Sequence, residues 1–192
     1  ANVEAGHSTT PIRVTLPNRM NLNFKVRDNG LGLSDDDIRD VYAFYGESTK
    51  RNSNALIGQL GLGSKSAFAY GDNFVINSFV GGVKSIYNAF IDDSQVGQIA
   101  KLGSEKTTEA DGVEIVIPVR PEDVNTFSSK AKSLYQHFKV RPEIKGECIL
   151  FNDDAPVLEG KDWKIGDSRE ASAVAVMGNI AYPIDYHSLN MK

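Results

Sequence analysis

Two glycine-rich stretches, "DNGLG" at residues 28–32 and "GQLGLGSKS" at residues 58–66, constrain this chain more than any other feature. Each asks for a backbone that turns sharply or approaches something closely, because glycine alone takes positive φ at little cost. The first stands directly behind the alternating "LNFKVR", which reads as a strand and places Asp28 at its end. The second opens the short helical text "SKSAFAYGD". Between them lie a helix and a long polar segment.

Asn29-Gly30 is a strong turn dipeptide, so a plain turn accounts for the first stretch on its own terms. A calcium loop does not: the twelfth position from Asp28, where a bidentate glutamate is required, is Arg39. The second stretch suits an anion. Gly58, Gly61 and Gly63 let backbone N–H groups converge, and Ser64, Lys65 and Ser66 follow at a helix start. Phosphate is the obvious guest. The phosphate loop G-x-x-x-x-G-K-[ST] is missed by one residue, since Gly58 and Gly63 are correctly spaced but Ser64 intrudes before Lys65-Ser66. The dinucleotide pattern G-x-G-x-x-G fails as well, because Gly61 and Gly63 are followed by Ser66.

The rest of the chain supplies an α+β frame. "IRVTLP" and "LNFKVRD" read as a hairpin pair joined by "PNRMN". "SDDDIRDVYAFYG" is a helix that Ser34 can cap, with Asp35, Asp36 and Asp37 in the first turn, where the macrodipole favours acids over a metal role. The segment "ESTKRNSNALIGQLGLG" is long for a connection without structure of its own, and loops of that kind are functional lids or disordered. "NFVINSFVGG", "KSIYNAFIDD", "VGQIAKLG" and "GVEIVIPV" follow as strands, spaced as an antiparallel meander, and "PEDVNTFSSKAKSLYQHFK" is a helix with Pro121 at its start. After "VRPEIKG" the texture changes to short strands and turns, so a second, strand-rich unit is expected over residues 141–192, with Trp163 as its core anchor. His7, His137 and His187 have no partners at ligand spacing and read as surface or packing residues.

With 192 residues, 41% hydrophobic and 24% charged, the chain can bury a core without disulfides, and its single cysteine, Cys148, could form no internal one. A reducing cytoplasm is the expected location. No window approaches a membrane span, and a net charge of −4 argues against nucleic acid as a direct partner.

The two glycine clusters, in this order and with a helix and a polar loop between them, resemble the GHKL-type ATPases: gyrase B subunits, heat-shock chaperones, mismatch-repair proteins and histidine kinases. "DNGLG" matches the D-x-G-x-G box, "IGQLGLGSKSAFAYGD" is similar to the chaperone-type I-G-x-x-G-x-G segment, and "DGVEIVIPV" stands where the domain's late strand belongs. Within the family the text is most similar to a phage-encoded member. The resemblance covers roughly residues 1–140 and implies the Bergerat fold, an α/β sandwich with a mixed, mostly antiparallel sheet and helices on one face, binding ATP with Mg2+. It implies that Asp28 accepts a hydrogen bond from the adenine amine and that Gly30 and Gly32 let the backbone approach the base. Gly58, Gly61 and Gly63 would hinge the lid and meet the phosphates, with Ser64, Lys65 and Ser66 as further phosphate contacts.

Two departures qualify the carry-over. The family's first box, E-x-x-x-N-x-x-D-A, supplies the general base and the Mg2+-binding asparagine, and this text starts at its last residue, Ala1. The base is therefore expected upstream of Ala1, with ATP hydrolysis a property of the full-length protein. The threonine usual beside the adenine-binding aspartate is replaced by Val113, so its hydrogen bond must come from elsewhere, with Thr107 and Thr108 as candidates, or be absent. The expected function is a nucleotide-driven conformational switch, with a homodimer or a downstream protein as the reader of its state. The rivals are an interaction protein that keeps the fold without catalysis, and a P-loop-like phosphotransferase using Gly58 to Ser66 without Asp28.

Overall fold

The computed structural model describes residue 2 and residues 5–43, 63–94, 96–166 and 173–185, with the backbone alone for residues 40–43 and 63–65. Its strands are β1 (Arg13–Thr15), β2 (Asn23–Arg27), β3 (Asn73–Val80), β4 (Val83–Ile91), β5 (Gly97–Lys106), β6 (Gly112–Pro118) and β7 (Glu143–Lys145), followed by β8 (Leu158–Glu159), β9 (Lys164–Ile165), β10 (Val174–Met177) and β11 (Ile180–Pro183). The α-helices are α1 (Asp35–Ala43) and α2 (Val124–Tyr135), and residues Gly63–Ala69 form a 3-10 helix.

Seven strands make one sheet in the order β5-β4-β3-β6-β2-β1-β7. All its pairings are antiparallel except β1 with β7. The expected hairpin of β1 and β2 forms, and β3, β4 and β5 run as the expected meander. The meander stops there. β6 leaves β5 and inserts between β3 and β2, pairing Ile76 with Ile115 on one side and Val26 with Ile115 on the other. The physical reason is burial: Val113, Ile115 and Ile117 are all apolar on one face, and only a central position covers them on both flanks. The sheet also continues past the expected boundary at residue 140, since Glu143–Lys145 pairs with β1.

One face carries both hydrophobic clusters. Ile38 of α1 and Ala67 of the 3-10 helix pack on Phe74, Ile76, Tyr87 and Ala89. Ala131 and Tyr135 of α2 pack with Val14 and Leu16, backed by Phe24, Val26 and Ile144. The pairs Phe24–Ile117 and Val26–Ile115 join the two clusters across β2 and β6. The result is a two-layer α+β sandwich with its helices on one side, as expected. Each fully buried aliphatic or aromatic side chain in it contributes about 1.5–3 kcal/mol.

Beyond Phe151 the described chain forms two small hairpins, β8–β9 and β10–β11. Trp163 is no core anchor there: it is 54% exposed, with its ring lying against Gly160. A two-residue ladder has no second layer under which an indole could be buried. Cys148 is free and exposed. No helix among the described residues is long and apolar enough to cross a membrane.

Candidate functional site

Asp28 leaves the end of β2 held on two sides by β6. Its backbone N–H donates to the Val113 carbonyl at 2.9 Å. Its carboxylate Oδ1 accepts the Val113 N–H at 2.9 Å and the Gly30 N–H at 3.0 Å. Oδ1 is thereby fixed by two backbone donors, and among the described residues no partner falls on Oδ2. One oxygen of the carboxylate is thus spent on structure. Val113, at the position where a threonine is usual, meets Asp28 through its main chain, and the Thr107 hydroxyl accepts the Glu109 N–H at 3.1 Å, in the connection before β6.

Past Asp28 the chain crosses the end of β3. Gly32 has φ +74°, and a Cβ there would lie 2.5 Å from Val80 Cγ2 and would also meet the Phe79 carbonyl oxygen. Only glycine fits. The exit is locked by Ser78, 1% exposed, whose hydroxyl accepts the Leu33 N–H at 2.8 Å and donates to the Leu33 carbonyl at 2.7 Å. Ser78 faces Val113 across β3 and β6, so one inward side chain ties the glycine loop to the floor beneath Asp28. Its signal in the sequence is a lone hydroxyl at an inward position after Phe74 and Ile76, where a polar group needs a partner.

The N-terminal segment closes the same turn from outside. Asn2 Oδ1 accepts the Asn29 N–H at 2.7 Å, Asn29 Nδ2 donates to the Pro11 carbonyl at 3.0 Å, and His7 Nδ1 lies 2.8 Å from the Asn29 carbonyl oxygen. His7 is exposed, as expected, yet it holds the loop that follows Asp28.

At the end of β2 stands Arg27, 3% exposed, a residue whose burial the sequence did not announce. Nη2 donates to the Ala110 carbonyl at 2.6 Å, and the guanidinium carbon sits 3.7 Å from the centre of the Phe79 ring. Burial pushes the guanidinium below its ordinary pKa, against the pull of Glu109, Glu114 and Asp28. Among the described residues Nε and Nη1 have no hydrogen-bond partner. Close by, Gly112 takes φ +143°, and a Cβ on it would lie 2.5 Å from the Asp28 carbonyl oxygen, 3.0 Å from Oδ1 and 3.2 Å from Arg27 Nη1.

The three consecutive acids of α1 each have a separate task. Asp37 and Ser34 cap the helix reciprocally: the Asp37 N–H donates to Ser34 Oγ at 3.2 Å, and the Ser34 N–H and hydroxyl donate to Asp37 Oδ2 at 2.9 and 2.6 Å. Asp36 pairs with Arg39 at 2.6 Å. Asp35 accepts from Lys101 Nζ of β5 at 2.8 and 2.7 Å and from the Tyr87 hydroxyl, and the Lys101 bond, then the Tyr87 bond, hold its carboxyl below the usual range. Among the described residues no group of three His, Cys, Asp or Glu side chains is placed to hold a metal ion.

Of the second glycine stretch, Gly58 and Gly61 lie outside the described residues, as does the rest of the expected lid. Gly63, Ser64, Lys65 and Ser66 open the 3-10 helix, and Ser66 is exposed. That helix is anchored behind by Tyr70, whose hydroxyl donates to Asp123 Oδ2 at 2.7 Å and accepts the Arg120 N–H at 3.0 Å. The 3-10 helix and the glycine loop after Asp28 thus both lie on the helix-bearing side of the sheet.

Comparison with known proteins agrees with this geometry. Residues 3–131 match the model of a family described as histidine kinase-, DNA gyrase B- and HSP90-like ATPases. The chaperone protein HtpG of Helicobacter hepaticus is 26% identical over 136 residues, covering 63% of this chain and 19% of that protein. The chain therefore spans about a fifth of the length of that curated relative. The matched segment contains β1 to β6, both locks on Asp28 and most of α2. By that match, and with the sheet and helices arranged as such an ATP-binding domain requires, the chain belongs to the family of histidine kinase-, DNA gyrase B- and HSP90-like ATPases.

Proposed function

We propose that this domain recognises the adenine of ATP through Asp28 and works as a nucleotide-driven conformational switch in a phage-encoded ATPase. The observation that supports the base assignment is the asymmetry of the Asp28 carboxylate: Oδ1 is spent on the Val113 and Gly30 N–H groups, and Oδ2 has no partner among the described residues. A carboxylate held in one orientation accepts from an exocyclic amine without first losing rotamer freedom. Gly30 and Gly32 keep side chains off the approach. Gly58, Gly61, Gly63, Ser64, Lys65 and Ser66 would receive the phosphates, and the segment before them would close over the nucleotide. Mg2+ would travel with the phosphates.

The phage reading rests on likeness of text to the protector-from-prophage-induced-early-lysis protein, in "GLGSKS" and in "MGNIAYPI", the latter running through β10 and β11. It places the protein in the host cytoplasm. ATP hydrolysis by the full-length protein, and a dimer or downstream partner that reads the closed state, belong to the same proposal.

Calorimetry with a non-hydrolysable ATP analogue tests the base assignment. Asp28→Asn should weaken binding at least about tenfold, or 1.4 kcal/mol, because a charge-assisted bond is lost and an amide N–H then faces the adenine donor. Unchanged affinity would favour phosphate-only recognition, as in the P-loop rival. No binding by the unsubstituted chain would favour an interaction protein that merely keeps the fold.

A further inference from the structure

Arg27 is the last residue of β2 and Asp28 the first beyond it, and both side chains border the start of β6: a Cβ on Gly112 would lie 3.2 Å from Arg27 Nη1 and 3.0 Å from Asp28 Oδ1. Asp28 is held from β6, through Val113. The position of Val113 in turn depends on how the β5–β6 connection delivers the chain into β6. Residues 107–111 are pinned to the β3–β4 turn twice, by Thr107 N–H to the Gly82 carbonyl at 2.9 Å and by Gly81 N–H to Asp111 Oδ1 at 2.9 Å. Arg27 pins the same connection to β2, by Nη2 on the Ala110 carbonyl at 2.6 Å. It does so two residues before Gly112 and from the residue adjoining Asp28. The flat face of its guanidinium on Phe79 keeps the side chain from swinging.

We propose that Arg27 is a positioning residue for base recognition: it sets the distance between the end of β2 and the start of β6, and so the aim of the Asp28 carboxylate. The inference rests on the reading of Asp28 as the adenine acceptor. A guanidinium that is 3% exposed and, among the described residues, leaves Nε and Nη1 without acceptors is a poor choice for stability alone, since burying an incompletely bonded cation is unfavourable. A methionine of similar length would fill the space without that burden. What a methionine cannot do is hold the Ala110 carbonyl while leaving Gly112 room against Nη1.

The test compares ATP with inosine triphosphate, which carries an oxygen where ATP has the amine, in the 192-residue chain by calorimetry, with thermal unfolding followed alongside. Arg27→Met should lower ATP affinity about tenfold and leave inosine triphosphate within about threefold, collapsing the preference for the amine. Arg27→Lys, which keeps a donor for Ala110 but no flat face for Phe79, should lose less and retain a measurable preference. If Arg27→Met fails to fold, the Lys variant is read in its place. A folded variant that keeps the full ATP preference, or one in which both nucleotides weaken equally, overturns the proposal. Failure of the underlying reading shows itself separately, as no preference for ATP in the unsubstituted chain.

Discussion

Gly112→Ala probes the hinge on which the site turns. The new Cβ would stand 2.5 Å from the Asp28 carbonyl oxygen, a backbone atom that cannot step aside as a flexible side chain would, with Oδ1 at 3.0 Å and Arg27 Nη1 at 3.2 Å. Ordinary contact begins near 3.4 Å, so either Asp28 or the start of β6 must move by most of an ångström. Such a shift breaks the Asp28–Val113 bonds. One is neutral, worth about 1 kcal/mol, and one reaches a carboxylate, worth about 1.5–3 kcal/mol. A φ of +143° adds about 1–3 kcal/mol for any residue with a Cβ. The sum is roughly 3.5–7 kcal/mol, or about 7–28 °C in Tm for a domain of this size at 2–4 °C per kcal/mol. Gly81→Ala is the control: it too has positive φ, +57°, but a Cβ there meets nothing within 4 Å, so it should cost only about 1–2 kcal/mol. Differential scanning calorimetry of the two variants separates conformational cost from collision. Equal Tm values for Gly112→Ala and Gly81→Ala would refute the argument that β6 and Asp28 are locked through this glycine.

Two further expectations concern the supports of the site. Ser78→Ala removes both bonds to Leu33 and leaves a half-buried N–H and carbonyl without them, so it should cost about 1–3 kcal/mol and speed hydrogen exchange at Leu33 while sparing the far end of β3. Asp35 has a folded pKa below its unfolded value of about 3.9, so its contribution is fully present above that value and is lost as pH falls through the lower folded one. Thermal unfolding from pH 6 down to pH 2 should show the native chain and Asp35→Asn separated at the upper end and converging in acid; parallel curves would mean that the Lys101 and Tyr87 contacts do not stabilise the ionised form.

Local chemistry was legible in the text wherever neighbours along the chain decide the outcome. The Ser34 cap of α1, the strand ending at Asp28 and the hairpin of β1 and β2 rest on residues a few positions apart. The nucleotide-site reading of Asp28, Gly30 and Gly32 came from motif order, and the fold around them followed with it.

Which segments become strands and helices, and which face of each is apolar, can be read along the chain, because side-chain period and capping are local properties. Which elements stand side by side depends on long-range packing. β6 follows β5 in sequence yet pairs with β3 and β2, because three inward apolar side chains need cover on both flanks. Arg27 sits at the end of β2, where an arginine ordinarily stays in water, and it is buried with its guanidinium on the Phe79 ring and bonded to Ala110 of the 107–111 connection. Asp28 acquires its orientation from Val113, a residue 85 positions away whose side chain matters less than its main-chain N–H. No local pattern encodes a backbone donor, so that bond came into view only when the two strands were laid side by side.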